Sequence, residues 1–501
     1  MNKKIMLIIY FMMGLGILGY DNLEIRNTNS SINFEKDLKR FSKLEFGNIL
    51  SDFTIIESGY IIDGKKIMIK DINNLVYGYL SGTNIFYYEG KYRGIKLKTY
   101  VYFPVENDKR QLIFTSEIID YDTNRKDAVI PFFHFISEKD GVINKIDNCY
   151  NNDKNYFIFE DCDTSLNITT EGEKRERNYR KAEKNDKYVI GQGLYFYPKT
   201  VKNENGVSNF RFLISDNKKN NEEKISQEDV ANWWQLWINS TINAESDIYK
   251  NCAVNLKLSY INDIEKNNQN VTIDGVNCEF YAFIKMNKYE EGLVLLDYQK
   301  NKPNMSIIEK AKYVINCCRY VKSTGNLSYF RSISKDLMNN YLEEIIDTKE
   351  KMNEKEKRYC YNSIKEFMDI SDFFIEEPFL AKYKNYLVKL KEEIPNDKLE
   401  ISLPEYLNIK GEASSEKVDD LLNKNEENIL ELLYYSLTTN DKKVLKKISD
   451  RIDGYSLEND KLVPEVVKKE DGDRRYIKSS NTGLINALYI LMKGRVNEWK
   501  D

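Results

Sequence analysis

A single histidine limits the catalytic chemistry open to this chain. The 501 residues contain one His, His134, within the strand-like run Pro131–Ile136. Mechanisms that need two imidazoles, such as an HExxH zinc site or a three-histidine metal site, are therefore excluded. A Ser–His–Asp or Cys–His site would have to use His134, with Asp140 and Cys149 near it in the sequence. We interpret His134 as a strand residue at the edge of the core or on the surface.

Carboxylates are the catalytic groups that remain. Glycoside hydrolysis needs only two Asp or Glu side chains at a set separation, and the chain has 79 acidic residues. On candidate strands, Glu117 and Asp120 lie beside Tyr121, but the sequence does not select a pair. We therefore assign no catalytic residue.

No motif in the sequence indicates a cofactor. The chain contains neither G-x-S-x-G nor G-x-x-x-x-G-K-[ST], and Gly191–Gly193 lacks the third glycine of a dinucleotide-binding loop. Asp147, Asn151, Asp153 and Asn155 alternate as calcium ligands do, but the central Gly and the closing Glu are missing. We interpret them as a polar turn, and we predict no cofactor and no metal.

The composition excludes two further classes of protein. With 75 Lys+Arg against 79 Asp+Glu, the formal charge is −4, and no strongly basic surface for nucleic acid is expected. The mean hydropathy of −0.59 excludes a polytopic membrane protein. The 36 Tyr are spread along the chain, which favours AT-rich coding over a tyrosine-rich recognition surface.

The N-terminus has the pattern of a secretory signal. Lys3-Lys4 precede the uncharged apolar run Ile5–Leu18, and cleavage after Gly19 is plausible. The run is shorter than the ~20 residues that a spanning helix needs. We predict a signal peptide over residues 1–19 and an exported protein (periplasmic, cell-surface or secreted), with an uncleaved anchor as the alternative. No second membrane span is predicted.

Export makes disulfides chemically accessible to the seven cysteines. The odd number leaves at least one thiol free or paired between chains. Cys149 and Cys162 lie on neighbouring candidate strands, so we predict them as the disulfide pair. The others are expected to be small buried residues; they are Cys252, Cys278, Cys317, Cys318 and Cys360.

The residue pattern over 45–220 predicts an antiparallel β domain. Short runs of β-branched and aromatic residues recur every 8–15 residues, and Ile95–Lys98 alternates strictly between apolar and basic side chains. Asp63-Gly64 between two apolar runs is a strong hairpin signal. We predict a β sandwich or barrel at the N-terminal side of an α+β protein.

From residue 226 the pattern becomes helical. Ser226–Asp229 resembles a capping box, and an apolar stripe containing Trp233, Trp234 and Trp237 follows. These indoles either stack on a ligand or are buried where this helix docks the helical domain onto the β domain, which we favour. We predict an α-helical hairpin domain, solenoid-like, over 226–394 and a C-terminal helical lobe over 412–501, separated by the non-periodic stretch Pro395–Gly411.

One segment of this half resembles a known repeat. In residues 280–303, Ala282-Phe283 precede a turn at Asn287–Glu291, Gly292 stands at a helix crossing, and Pro303 closes the unit. This pattern resembles the second half of a tetratricopeptide repeat, although the usual first-helix Trp and Gly are missing. The resemblance is confined to this segment and implies an array of helical hairpins that binds peptides or partner proteins.

Two functions follow from these observations. The leading hypothesis is an exported non-catalytic protein that recognises a protein or cell-envelope partner, since the sequence shows no catalytic constellation. The alternative is an exported glycan hydrolase with a pair of carboxylates, in which aromatic strands would stack on sugars. The candidate binding residues are Trp233, Trp234, Trp237, Tyr195 and Tyr197. A cleft with two carboxylates ~5–10 Å apart beneath exposed aromatics would favour the enzyme.

Overall fold

The computed structural model forms two compact units, residues 1–238 and 239–501. It describes residues 22–27, 30–47, 49–105, 110–120, 129–137, 139–146, 149–152, 154–160, 166–170, 180–181, 186–188, 193–198, 207–216, 224–239, 241, 247–265, 273–348, 352–372, 375, 377–409, 415–423, 429–459, 467–470, 473–476 and 482–498. The predicted signal peptide at 1–19 lies outside these residues. So do Cys162 and the side chain of Cys149, and the predicted disulfide with them.

The first unit consists of antiparallel strands followed by one helix. The strands are β1 (Asn22–Arg26), β2 (Ser30–Glu35), β3 (Arg40–Phe46), β4 (Ile49–Leu50), β5 (Phe53–Ile62), β6 (Lys65–Met68), β7 (Val76–Tyr79), β8 (Phe86–Tyr92), β9 (Ile95–Tyr102), β10 (Gln111–Asp120), β11 (Ile130–Ser137), β12 (Gly141–Ile146), β13 (Cys149–Asn151), β14 (Tyr156–Glu160), β15 (Leu166–Thr170), β16 (Arg180–Lys181), β17 (Asp186–Tyr188), β18 (Gly193–Pro198) and β19 (Val207–Ser215); the helix is α1 (Gln227–Asn239).

Within the described residues these strands form two large sheets. The first has the order β1-β2-β3-β5-β11-β18-β15-β16, with β4 beside β3 and β6 beside β5. The second has the order β17-β12-β13-β14-β19-β10-β9-β8-β7. The predicted antiparallel β architecture is confirmed, and of the two alternatives the structure shows the sandwich. It begins at residue 22 rather than at residue 45.

The turn between β5 and β6 shows how local sequence sets the register. Asp63 and Gly64 have φ values of 50° and 69°, as a two-residue hairpin turn requires at both central positions. The predicted hairpin is confirmed. In the middle of β5, before this turn, a Cβ on Gly59 would lie 2.4 Å from the Ile67 carbonyl oxygen and 2.5 Å from the Phe132 ring. Only glycine therefore fits beneath this aromatic ring.

The space between the two sheets is filled mainly by phenylalanine. The ring of Phe133 stacks on Phe212 at a centroid distance of 4.2 Å and tilts against Phe114 at 4.8 Å. All three side chains are almost completely buried, and strand alternation supplies each of them from a different strand. Burial of such rings is the main source of stability for this unit.

A short chain of hydroxyl groups crosses this apolar core. The Thr99 hydroxyl lies 2.8 Å from the Tyr60 hydroxyl and 2.5 Å from the Ser116 hydroxyl. A second pair, Ser58 and Tyr88, is 2.8 Å apart. Each group is buried and satisfied by another hydroxyl, so the core carries these polar atoms at little cost.

Helix α1 belongs to the β unit through its buried stripe. Ser226 and Asp229 bond reciprocally at its start, which confirms the capping box. Trp234 is fully buried and donates from Nε1 to the Asn84 side-chain oxygen at 2.8 Å. The division between the two units therefore follows Ile238 and not residue 226, because this indole fixes the helix to the first unit.

The second unit is helical. Its elements are α2 (Asp247–Glu265), α3 (Ile273–Lys285), α4 (Tyr289–Lys300), α5 (Ile307–Thr324), α6 (Leu327–Leu337), α7 (Glu343–Asp347), α8 (Glu354–Ser371), α9 (Glu377–Glu393), α10 (Leu403–Tyr406), α11 (Ser415–Asn423), α12 (Ile429–Thr438), α13 (Lys442–Asn459), the hairpin strands β20 (Val467–Glu470) and β21 (Asp473–Tyr476), and α14 (Thr482–Glu498). No helix in the described ranges combines the length and apolarity needed to cross a bilayer.

The helices of this unit close into a ring. Helix α3 packs on α5, α5 on α8, α10 on α12, α12 on α14, and α14 returns to α3. Between α8 and α10 the contact is the Arg358–Glu405 ion pair. The other long helices connect successive members of this ring. The helical hairpins are confirmed, and they enclose a common centre.

Ring closure also explains why residues 412–501 are not a separate lobe. The last helix packs against both α2 and α3, and residues 239–501 form one compact unit. The predicted boundary at Pro395–Gly411 instead contains α10, whose start is capped by the Ser402 hydroxyl. So short a helix cannot show a helical period in the sequence.

The segment resembling a tetratricopeptide repeat is a helical hairpin, formed by α3 and α4. Asn287 adopts φ 59° in the turn. A Cβ on Gly292 would lie 3.1 Å from Ile284 Cδ1, so a small residue is needed where the two helices approach. The resemblance itself stays a prediction.

Candidate functional site

A buried lysine lies at the centre of the helical ring. Lys312, on α5, is almost fully buried, and its ammonium group is 2.7 Å from Asp274 Oδ1 on α3. It also lies 5.2 Å from the Tyr406 ring centroid and 5.4 Å from that of Tyr359. A desolvated cation needs such partners, because burial of an unpaired charge is very costly.

The Tyr406 hydroxyl joins this centre to a cluster of amides. It lies 2.8 Å from the Asn316 side-chain oxygen and 2.9 Å from the Lys312 carbonyl, and its single hydrogen is shared between these two acceptors. Asn316 in turn donates to Asn277 at 2.7 Å and to Gln299 at 3.1 Å. Burial raises the pKa of Tyr406 well above its usual value. Four helices thus share one buried polar network.

A second cation, Arg319, lies further along α5. The Arg319 guanidinium is 5.1 Å from the ring centroids of both Tyr281 and Tyr406, and it donates to the Tyr281 hydroxyl. Its Nε is 3.6 Å from Glu366 on α8, which also accepts from Lys322 at 2.5 Å. Between α3 and α5, residue 274 contacts 312, residue 277 contacts 316 and residue 281 contacts 319. Because the residue numbers rise together along both helices, α3 and α5 run parallel.

Two carboxylates lie where the ring helices begin. Asp274 is the second residue of α3 and Glu405 the third residue of α10. Glu405 receives two bonds from the Arg358 guanidinium, at 2.5 and 3.0 Å. Asp274 accepts from Lys312 and, at 3.2 Å, from Asn408. Their side chains are 39% and 34% exposed, so solvent and ligands can reach both.

Tyr359 is a common neighbour of these two carboxylates. Its hydroxyl donates to the Glu405 carbonyl at 3.0 Å. Its pKa is raised chiefly by burial, and next by the negative charges of Glu405 and Asp274. Both carboxylates are therefore within electrostatic reach of one phenol. We call Asp274, Glu405, Arg358, Lys312 and Tyr359 the ring-entrance cluster.

The ring-entrance cluster could bind an uncharged polyol. Carboxylate, ammonium and guanidinium groups in fixed pairs offer both acceptors and donors to neighbouring hydroxyls. Paired carboxylates are also the groups that glycoside hydrolysis uses. The cluster includes no histidine and no thiol. Burial raises the pKa of Cys317 and of Cys360 to about 12, which leaves these thiols protonated and unreactive at neutral pH.

In the β unit, His134 lies on the outer face of the first sheet in a cluster of its own. Its Nδ1 is 2.9 Å from Glu57 Oε2, and its ring stacks on Tyr195 at 4.2 Å. Lys70 binds the other Glu57 oxygen at 2.9 Å, and the Lys66 ammonium is 3.5 Å from the Tyr195 centroid. The imidazole bond is the largest cause that lowers the pKa of Glu57 to about 2.

This geometry places the predicted binding tyrosines. Tyr195 and Tyr197 alternate with the buried Leu194 and Phe196, so both belong to the outer face of the first sheet. The Tyr195 ring contacts His134 and Lys66, and its side chain is largely buried. His134 bonds to Glu57, which lies on the neighbouring strand β5.

The three predicted tryptophans have different environments. Trp234 is buried in the β unit, whereas Trp233 and Trp237 are half-buried. Trp233 and Trp237 pack edge-on against Trp234 at 5.0 and 5.8 Å. Leu236, between them, is 73% exposed.

The candidate calcium residues form a turn where they are described. The Asn155 amide donates to the Asn152 side chain at 2.8 Å, and Asn155 Oδ1 accepts from Ser51 at 2.9 Å. Asp147 and Asp153 lie outside the described residues. Across the described part of the chain, no group of three or more His, Cys, Asp or Glu side chains is arranged to hold a metal ion.

Similarity to proteins of known sequence is low. No protein-family model matches the chain. The valine–tRNA ligase of Mycoplasma mycoides subsp. mycoides SC is 24% identical over 337 residues, which cover 62% of this chain and 33% of the ligase. The chain thus spans about a third of the length of that curated relative. Such a match does not show a shared family.

Similarity of structure is broader. The crystal structure of a bacterial glucoamylase complexed with acarbose superposes with a TM-score of 0.56 at 10% identity, covering 96% of each chain. The inverting mannosidase of family GH92 from Bacteroides thetaiotaomicron gives a TM-score of 0.34 at 9% identity, over 94% of this chain and 81% of the mannosidase. The glucoamylase shares the fold, an antiparallel β unit followed by a helical unit. The mannosidase superposition does not establish a shared fold.

Sequence reasoning did not find the ring-entrance cluster. Its members come from four helices that are well separated in the sequence (α3, α5, α8 and α10), and each helix start reads in isolation as an ordinary N-terminus with an acidic residue. One usable signal was Ser402–Glu405, a cap followed by Pro404 and Glu405 inside a stretch that we predicted to be a linker.

Proposed function

We propose that this chain is an exported glycoside hydrolase whose catalytic carboxylates are Asp274 and Glu405. The observation that carries the proposal is the ring-entrance cluster, in which two solvent-accessible carboxylates flank a tyrosine at the starts of two ring helices. The fold shared with a glucoamylase supports the same assignment. This shared fold leads us to prefer the glycan hydrolase to recognition of a protein partner as the main function.

The surroundings of the two carboxylates suggest different roles. Glu405 is held by both terminal nitrogens of Arg358, which fixes the orientation of its carboxylate and suits a base or nucleophile. Asp274 has one lysine and one amide as partners. We assign to Asp274 the remaining role, that of the general acid for the leaving-group oxygen.

Turnover of a glycan panel tests the catalytic proposal. The mature chain is incubated with oligosaccharides and nitrophenyl glycosides of gluco and manno configuration, and released reducing sugar is measured. Asp274→Asn and Glu405→Gln should each lower kcat about 10²–10⁴-fold. Asp369→Asn is the matched control. Asp369 is also a carboxylate of the ring helices, but it lies near the other end of α8 from Arg358 and pairs with Lys322 of α5. This variant should keep the wild-type rate.

Three results would count against this proposal. Equal turnover by wild type, Asp274→Asn and Glu405→Gln would remove these two residues from the mechanism. Absence of turnover on the whole panel would reject the proposed hydrolase activity. If that absence came with reproducible recovery of one protein from envelope extract, recognition of a protein partner would replace it.

Export is the second part of the proposal. It rests on the basic and apolar pattern of residues 1–19. Mass spectrometry of the chain recovered from fractionated cells should find an N-terminus at Tyr20 outside the cytoplasm. Recovery of the intact chain from the cytoplasm would contradict it.

A further inference from the structure

The outer face of the second sheet has a pair of tyrosines that the proposed catalysis does not use. Tyr87 on β8 and Tyr100 on β9 are direct cross-strand partners. The core-facing residues on either side of each, such as Phe86 and Val101, are buried between the sheets. Alternation therefore places both tyrosines on the opposite face, where they are half-buried. Adjacent strands are about 4.8 Å apart, so the two rings form one platform.

A row of polar side chains runs beside this platform. The next outward position on each strand pairs Glu89 with Lys98 and Lys98 with Glu117, which pairs with Asn209. Glu117 and Asn209 are exposed. The Lys98 ammonium is 3.8 Å from Glu89 Oε2 and lies 4.9 and 5.7 Å from the centroids of Tyr100 and Tyr87. Donors and acceptors therefore lie within one residue row of an aromatic surface.

The chemistry of this surface fits a neutral sugar chain. A pyranose ring has an apolar face that packs on aromatic rings and a rim of hydroxyls that bonds to carboxylate, amide and ammonium groups. The polar row contains two carboxylates, one lysine and one neutral amide, so it carries charges of both signs. A strongly charged polymer would meet like charges on it, and an apolar peptide would leave these groups unpaired.

We propose that Tyr87 and Tyr100, with the polar row formed by Glu89, Lys98, Glu117 and Asn209, bind a neutral polysaccharide at a site separate from the ring-entrance cluster. The glycan as ligand rests on the proposed function. The surface holds the polymer and does not cleave it. Because the Lys98 ammonium lies over both rings, this side chain, which is 28% exposed, has to change rotamer for a sugar to stack there.

The test is retention of the purified full chain on insoluble amylose, cellulose and mannan, with measured binding isotherms. The wild-type chain should bind at least one of the three. Tyr87→Ala with Tyr100→Ala should weaken this binding about tenfold or more. Tyr87→Phe with Tyr100→Phe should restore it, because the aromatic faces remain. Tyr156→Ala is the matched control, since it removes a half-buried tyrosine from the same outer face on β14.

The outcomes separate this site from the catalytic proposal. The double alanine variant should hydrolyse a small nitrophenyl glycoside at the wild-type rate, and Asp274→Asn should still bind the polymer. Polymer binding without any hydrolysis would reject the catalytic proposal and keep this site. Unchanged binding by the double alanine variant with an intact near-ultraviolet spectrum, or no binding of the wild type to any of the three polymers, would overturn the site.

Discussion

The two units fill their interiors in opposite ways. Between the sheets, aromatic and aliphatic side chains meet, and the few polar groups are hydroxyls that satisfy one another. At the centre of the helical ring, a lysine, an arginine, amides and tyrosines form one connected network. The first interior is stabilised by removing apolar surface from water. The second gains little from its charges but loses much if one partner is removed.

The largest expected effect tests the apolar interior. Phe133→Ala removes a ring that stacks on Phe212 and contacts Phe114, and it should lower the free energy of unfolding of the β unit by about 3–5 kcal/mol. Three of the four Trp lie on α1, so Trp emission in urea reports this unit. Circular dichroism at 222 nm reports mainly the helices.

Leu236→Ala is the control for that measurement, because this side chain is 73% exposed. It should leave the Trp emission midpoint unchanged. A midpoint for Phe133→Ala equal to that of wild type would show that the phenylalanine core is not the main source of stability.

This difference also explains what the sequence could and could not predict. Strand alternation and turn dipeptides are local signals, so the sandwich and the Asp63-Gly64 hairpin were predictable. The ring depends on contacts between residues far apart, such as Tyr406 with Asn316, and α10 is too short to be periodic. The Glu57–His134 bond joins strands that are distant in the sequence, so no local pattern could have indicated it.

The second largest effect concerns the charged cluster on the β unit and its dependence on pH. The pKa of Glu57 is about 2 in the folded chain against an ordinary 4.5. Folding therefore favours the ionised carboxylate, and its contribution is complete above pH 4.5 and disappears as the pH falls towards 2. The contribution at neutral pH is at most about 3 kcal/mol.

Glu57→Gln should thus destabilise the β unit at pH 7 and make little difference at pH 2, as followed by Trp emission in urea at both values. Glu117→Gln is the control, because this carboxylate is exposed on the outer face of β10. A loss of stability in Glu57→Gln that is equal at pH 7 and pH 2 would disprove the electrostatic origin.

A smaller effect is expected at the polar centre of the ring. Tyr406→Phe leaves the Asn316 side-chain oxygen and the Lys312 carbonyl without the phenolic hydroxyl, and should cost about 1–3 kcal/mol. The midpoint of the 222 nm signal in urea should fall while the Trp emission midpoint stays. Tyr435→Phe removes a hydroxyl that bonds Glu431 within one helix and should have almost no effect. Equal 222 nm midpoints for Tyr406→Phe and Tyr435→Phe would show that the buried polar network does not contribute to the stability of the helical unit.

The smallest effect distinguishes a satisfied polar chain from a broken one inside the apolar core. Thr99→Val keeps the shape of the side chain but leaves the hydroxyls of Tyr60 and Ser116 without their shared partner, at a cost of about 1 kcal/mol. Adding Tyr60→Phe and Ser116→Ala removes those unpaired groups as well. The triple variant should therefore be less destabilised than the sum of the single variants, measured by Trp emission in urea. If the effects of the three substitutions simply add, the three hydroxyls act independently. The polar groups between the sheets would then be uncoupled, unlike the connected network expected at the centre of the ring.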